Sequence, residues 1–186
     1  MKTLILNGSP KKNGDTTALV NALASHLQGE VRIVTTESDI SPCVDCRYCW
    51  ENVGCALQDE MQEIYSYLDD CDNVVFASPI WFATLSGPLL NMTSRIQTVF
   101  AASYFQKIPI PFKEKRGAII LVGGQPETKD APTQTAVSIM RYFNVHRPSV
   151  MKIYSLNTDK LPAAQDTVAI DRCREVAEIL NQCQSK

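Results

Sequence analysis

Short apolar runs alternate with helical patterns along the chain, and this alternation limits the possible folds more than any other feature. Each apolar run predicts a strand, and each is followed by a segment whose apolar residues recur at helical spacing. The pattern predicts an α/β fold, with parallel strands covered by helices on both faces. The predicted strands are residues 2–6, 31–36, 73–77, 117–122 and 150–154, and the predicted helices are residues 16–28, 60–68, 89–101, 133–143 and 165–182.

The composition is that of an ordinary soluble globular protein. The chain has 186 residues, enough for a full core, and we expect a single domain over residues 1–186. Hydrophobic residues make up 45% and the formal net charge is −2, which argues against nucleic acid as the main partner. No apolar run reaches membrane-spanning length and no signal peptide precedes the first strand, so we expect a cytoplasmic protein.

The first predicted strand ends in a polar loop, residues 7–17, that leads into the first predicted helix. In this layout the loop N–H groups and the positive end of the helix converge on a small volume, where a phosphate is stabilised. The loop matches neither G-x-G-x-x-G nor G-x-x-x-x-G-K-[ST], so the usual dinucleotide and P-loop interpretations fail. On this stretch alone, a phosphate site and an ordinary capped helix are equal alternatives. The side chains that suit a phosphate are Ser9, Lys11, Asn13, Thr16 and Thr17.

Two further loops make the phosphate interpretation the stronger one. Five parallel strands fit the flavodoxin-like order 2-1-3-4-5, a three-layer sandwich whose ligand binds where the first and third strands diverge. The loops after the first, third and fourth strands, residues 9–17, 79–86 and 123–127, then line one crevice. All three loops are rich in the small and polar residues that a ligand site requires.

Four of the seven cysteines stand close together in the pattern C-x2-C-x2-C-x5-C. The first three resemble a ferredoxin-type run, so the set is a candidate iron–sulfur site. Four thiolates also suit a tetrahedral zinc ion, although the two-residue gaps favour a cluster, and a packed segment without metal is the competing interpretation. The four are Cys43, Cys46, Cys49 and Cys55, and the dispersed cysteines, interpreted as small apolar core or surface residues, are Cys71, Cys173 and Cys183.

Taken in order, these stretches resemble the NAD(P)H-dependent FMN reductases and the related iron–sulfur flavoproteins. The run G-S-P-K-K-N-G-D-T at residues 8–16 is similar to the family's phosphate loop, and S-P-I-W-F at residues 78–82 is similar to its second flavin loop. The run P-C-V-D-C-R-Y-C at residues 42–49, with the cysteine that follows, is similar to its cysteine segment. The match continues to the glycine pair at 123–124, and the final helix is matched by fold alone.

The resemblance implies an FMN-dependent oxidoreductase that takes a hydride from NAD(P)H and reduces a second acceptor, such as a flavin or a quinone. Because the flavin supplies the chemistry, no catalytic acid or base is expected, and His26 and His146 are interpreted as surface or packing residues. The single phosphate cradle favours FMN over FAD. The residues implied to bind FMN are Ser9, Lys11, Asn13, Thr16, Thr17, Pro79, Ile80, Trp81, Phe82, Gly123 and Gly124.

The same resemblance leaves an alternative, an iron–sulfur flavoprotein that carries electrons to a protein partner. In that case Cys43, Cys46, Cys49 and Cys55 ligate a 4Fe–4S cluster. A flavin-binding module without redox activity is a weaker third interpretation. The relatives also imply a homodimer or homotetramer, with the cysteine segment close to the flavin and the interface.

Overall fold

A parallel sheet forms the centre of the computed structural model, which describes residues 1–182. Its strands are β1 (Lys2–Asn7), β2 (Glu30–Val34), β3 (Asn73–Trp81), β4 (Thr84–Leu85), β5 (Arg116–Val122) and β6 (Met151–Ser155). The order is β2-β1-β3-β5-β6 with parallel neighbours, and the short β4 pairs antiparallel with the end of β3. The five parallel strands therefore follow the predicted order 2-1-3-4-5, and the fold is flavodoxin-like.

Helices cover both faces of the sheet and bury two separate cores. The helices are α1 (Asp15–Ala24), α2 (Tyr48–Glu51), α3 (Met61–Asp70), α4 (Gly87–Ser94), α5 (Gln97–Phe105), α6 (Asp130–Met140) and α7 (Thr167–Leu180). Because side chains alternate along a strand, Ile5 packs with α1 and α7, whereas Leu4 and Leu6 pack with α3, α4 and α6. Among residues 1–182, no helix has both the length and the apolar character that crossing a membrane requires.

Two predicted elements differ from the structure. The predicted loop over residues 79–86 is an extension of β3 followed by β4, so Pro79 lies within a strand. The predicted helix over residues 89–101 is divided into α4 and α5, because the chain turns at Arg95 and Ile96 and the Arg95 side chain is buried. Neither glycine nor proline marks this turn, so the helical pattern concealed it.

The loop after β1 contacts the start of α4 because residue 8 is a glycine. A Cβ atom at Gly8 would lie 2.4 Å from the Cβ of Leu89 and 2.6 Å from the Oγ of Ser86. The Ser86 hydroxyl donates a hydrogen bond of 2.8 Å to the Gly8 carbonyl and also accepts from the Leu89 N–H, which caps α4. The carboxyl ends of β1 and β3 are therefore joined through this close approach.

We expect Gly8→Ala to lower the free energy of unfolding by about 1–3 kcal/mol, the range for adding an atom to a filled site. The matched control is Gly87→Ala, because nothing lies within 4 Å of a Cβ atom there. Urea unfolding of both variants and the parent measures the difference. Equal stabilities of Gly8→Ala and the parent would show that α4 can shift without loss.

Candidate active site

The N-terminus of α1 has backbone N–H groups that no group within residues 1–182 satisfies. The N-cap residue is Gly14, which has no side chain that could accept a hydrogen bond from the first turn of the helix. Within residues 1–182, the N–H groups of Asp15, Thr16 and Thr17 donate to no carbonyl or side chain. The Asp15 carboxylate instead accepts a hydrogen bond of 2.7 Å from the Ala163 N–H. The helix start therefore presents free donors and the positive end of the helix dipole, which together favour an anion.

Asn7, at the end of β1, orders the loop that leads to this helix. Its Oδ1 accepts from the Ser9 N–H at 3.0 Å, and its Nδ2 donates to the Thr17 hydroxyl at 3.2 Å. The hydroxyls of Ser9 and Thr17 both donate to the Lys11 carbonyl, at 3.2 and 3.1 Å. The loop is thus held by its own side chains, and sequence analysis missed Asn7 because it was counted with the loop rather than as its organiser.

The loops after β1, β3 and β5 meet in one crevice, as predicted. The cavity has a volume of about 290 Å³. Thr16 is buried and its hydroxyl makes no hydrogen bond within residues 1–182, so it is available to a ligand. Thr158, from the loop after β6, also lines the cavity and was not predicted. The predicted residues that line it are Ser9, Lys11, Thr16, Pro79, Trp81 and Gly123.

The other predicted ligand residues lie around this crevice rather than on its wall. Thr17 lines a neighbouring hollow on the β2 side of the loop, and Asn13 is exposed. Ile80 packs against the core on the α3–α6 face. Gly124 lies beside Asp159, and Phe82 is fully exposed at the tip of the β3–β4 hairpin.

Gly123 has space that the protein itself does not fill. A Cβ atom there would approach the Ile80 side chain no closer than 3.4 Å, an ordinary contact, and its backbone does not require a positive φ. Its N–H donates to the Ser155 carbonyl and its own carbonyl accepts from the Thr158 N–H. The absence of a side chain is therefore unexplained by internal packing, and it leaves room for a ring to approach the backbone.

The four-cysteine segment lies at the other end of α4 from the crevice. The Cys43 N–H donates to the Ser94 hydroxyl at 2.9 Å, whereas Ser86, the N-cap residue of α4, contacts the loop after β1 at Gly8. A helix of 8 residues is about 12 Å long, so the segment and the crevice are separated by that length. The structure therefore does not bring the cysteines to the wall of the crevice in the same subunit.

The buried Arg95 side chain binds several groups of the cysteine segment. Its side chain is fully buried and forms an ion pair of 2.5 Å with Asp59, and it also donates to the Ser41 carbonyl at 2.9 Å and to the Cys55 sulfur at 3.4 Å. Burial acts to raise the pKa of Asp59, but the Arg95 guanidinium and two backbone N–H groups outweigh it and leave that pKa below its usual value. Arg95 was predicted only as part of a helix, and its burial was not expected.

The four cysteines surround one small hollow, but they do not form a metal site as their side chains stand. The hollow has a volume of about 20 Å³, roughly the space of one water molecule, and Arg95 and Thr98 line it as well. In the part of the chain that the structure describes, no three Cys, His, Asp or Glu side chains could hold a metal ion. Burial raises the pKa of Cys49, which favours its protonated thiol. The 4Fe–4S cluster suggested by the spacing therefore does not fit this arrangement.

The remaining cysteines and the histidines lie away from the crevice. Cys71 and Cys173 are buried in the two cores, and Cys183 lies outside the described residues. His26 and His146 are both exposed.

Comparison with known proteins shows the family to which the chain belongs. The family model for NADPH-dependent FMN reductase matches residues 1–158. The chain belongs to this family. As a member, it is an NAD(P)H-dependent FMN oxidoreductase.

Individual proteins are similar to the chain in sequence or in fold. An iron–sulfur flavoprotein from Methanocaldococcus jannaschii is 26% identical over 151 residues, which is 78% of this chain and 73% of that protein. The NAD(P)H:quinone oxidoreductase of Methanothermobacter marburgensis superposes with a TM-score of 0.73 at 16% identity, covering 100% of this chain and 98% of the other. An FMN-dependent NADH-azoreductase from Bacillus anthracis, solved in complex with FMN, superposes with a TM-score of 0.69 at 15% identity. The superposition covers 98% of this chain and 100% of the other. At these identities the two structures show a shared fold only.

Proposed function

We propose that the crevice binds FMN with the phosphate at the N-terminus of α1 and the flavin ring along Pro79, Trp81 and Gly123. The observation that carries the proposal is the set of unsatisfied N–H groups at the start of α1, where Asp15 and Thr16 line the same cavity as the loops after β3 and β5. A phosphate would accept from these groups, and the ribityl chain and ring would extend toward Trp81. Bound FMN would supply the hydride-accepting chemistry.

Each side chain of the loop has a separate task in this proposal. Thr16, whose hydroxyl is unpaired, bonds the phosphate directly, and Ser9 holds the loop and presents its hydroxyl to the same oxygen atoms. Lys11 lines the cavity and adds charge at its rim. Thr17 acts through Asn7, which fixes the loop. Asn13 is exposed in the turn before α1, and its side chain would contact the phosphate from the solvent side.

The protein contributes placement rather than proton transfer. Neither histidine lines the crevice, and we propose that hydride transfer proceeds without a side chain that acts as acid or base. The second substrate is a flat organic acceptor, such as a free flavin or a quinone, that reaches the ring from the open side of the crevice. The alternative of an iron–sulfur electron carrier is not favoured, because the four cysteines do not form a metal-holding group within residues 1–182.

Anaerobic mixing with NADPH or NADH tests the function directly. Protein purified under oxygen protection and loaded with FMN should show flavin absorption bands that bleach on addition of one of the two nucleotides and return on addition of 1,4-benzoquinone. His146→Ala serves as the control and should bleach at a rate within about threefold of the parent, since loss of a general base would cost roughly 10²–10⁴. Flavin bands that neither nucleotide bleaches would contradict the proposal. A broad iron–sulfur absorption in addition to the flavin bands would support the alternative of an iron–sulfur electron carrier.

Removal of the loop hydroxyls tests the phosphate assignment. We expect Ser9→Ala and Thr16→Ala each to weaken FMN binding by about 1–3 kcal/mol, the value of a hydrogen bond to a charged group. Thr16→Ala should leave the melting temperature nearly unchanged, whereas Ser9→Ala should lower it because the Ser9 hydroxyl also bonds Lys11. Thr135→Ala, on the exposed face of α6, is the matched control. Titration by flavin fluorescence gives the affinities, and a double variant that binds FMN as the parent does would refute the assignment.

We also propose that the chain is a homodimer or homotetramer. Exposed aromatic rings favour this, because large apolar surfaces are unusual on monomers, and two-fold dimers most often cover them. The Trp50 and Phe105 rings stack with centroids 4.4 Å apart, the Arg47 guanidinium lies over the Trp50 ring, and Tyr104 packs edge-to-face on Phe105. Light scattering at micromolar concentration should give a multiple of the chain mass, and a mass near 20.7 kDa would rule out the oligomer.

A further inference from the structure

The tip of the β3–β4 hairpin has an unfavourable backbone conformation. Ile80 pairs with Leu85 and Trp81 with Thr84, which leaves Phe82 and Ala83 as a two-residue turn. Both have positive φ, 50° and 55°, as a type I′ turn requires. Asn-Gly suits such a turn, whereas residues with a larger side chain are unfavourable there. The turn therefore retains residues that its backbone does not favour.

Phe82 is fully exposed at this tip, although a phenyl ring gains by burial. It directly follows Trp81, whose side chain lines the crevice and is 42% exposed. An apolar ring at a strained position beside a ligand crevice indicates that the ring has a role outside the fold itself.

The base of the hairpin holds this tip in a fixed place. The Ser86 N–H donates to the Ser78 hydroxyl at 2.8 Å, and the Ser86 hydroxyl donates to the Gly8 carbonyl at 2.8 Å. Leu85 is buried in the core. Since Gly8 begins the proposed phosphate loop, the position of Phe82 is set by the same contacts that order that loop.

We propose that Phe82 is a substrate-binding residue, whose ring packs against the flat, electron-poor ring of the second substrate rather than against FMN. This inference rests on the proposed function. Nicotinamide and quinone rings share that chemistry and would reach the flavin alternately from the open side of the crevice. Offset stacking on a phenyl ring suits such rings, and a rigid hairpin presents the phenyl at little entropic loss. In the sequence analysis, Phe82 was implied to bind FMN because S-P-I-W-F resembles the family's second flavin loop.

Kinetics of three FMN-loaded variants test the assignment. Phe82→Ala should raise the KM for 1,4-benzoquinone and for the preferred nicotinamide nucleotide by roughly five- to tenfold, the scale of one aromatic contact. Phe82→Tyr keeps the ring and should stay within about twofold of the parent. Ala83→Gly keeps Phe82 and relieves the turn, so it should raise the melting temperature and leave both KM values unchanged.

Three results would overturn the inference. The first is parent-like KM values for both substrates in Phe82→Ala, and the second is a tenfold loss of FMN affinity in that variant, which would return the ring to the flavin. The third is a fall in mass by light scattering, which would make Phe82 an interface residue. Failure of the proposed function is distinguishable, because the parent protein would then fail to oxidise either nucleotide.

Discussion

Unsatisfied backbone N–H groups at the start of α1 are the constraint on which the rest of the site depends. A helix terminus that lacks a side-chain cap is unfavourable unless another acceptor is present, and here the Asp15 carboxylate that could serve is bonded to Ala163 instead. The parallel sheet places this terminus at its carboxyl edge, beside the loops after β3 and β5. In the proposed complex, an anionic ligand would satisfy the helix and join the three loops, which would couple binding to the local structure.

The contact between Gly8 and Ser86 extends this coupling to α4. Ser86 caps that helix, bonds the loop after β1 and, through Ser78, fixes the β3–β4 hairpin. These hydrogen bonds therefore connect the β3–β4 hairpin, the loop after β1 and α4 around the crevice. At its far end α4 meets Arg95 and the cysteine segment, which the buried Arg95–Asp59 pair secures. An ion pair of this kind is strongly destabilising to break, because it leaves a buried charge.

Much of the fold could be predicted, because strand order and crevice position follow from periodicity and from the general behaviour of parallel sheets. Ser9, Thr16, Pro79, Trp81 and Gly123 could be assigned to the crevice, since each lies at the end of a strand or in the loop and helix start that follow it. The structure added Asn7, Thr158 and the turn at Arg95, which depend on contacts between residues distant in sequence and carry no local signal. The cysteine spacing predicted metal ligands. Spacing does not specify in which direction each thiol points, and it does not reveal that the buried Arg95 guanidinium contacts one of them.

The affinities of the apoprotein for FMN and for riboflavin test the central claim most directly, because the two ligands differ only in the phosphate. If the N–H groups of α1 bind that phosphate, FMN should bind at least roughly a hundredfold more tightly than riboflavin, the result of two hydrogen bonds to a charged group. Isothermal titration calorimetry measures both constants under the same conditions. Equal affinities would contradict the claim, since the crevice would then recognise only the ring.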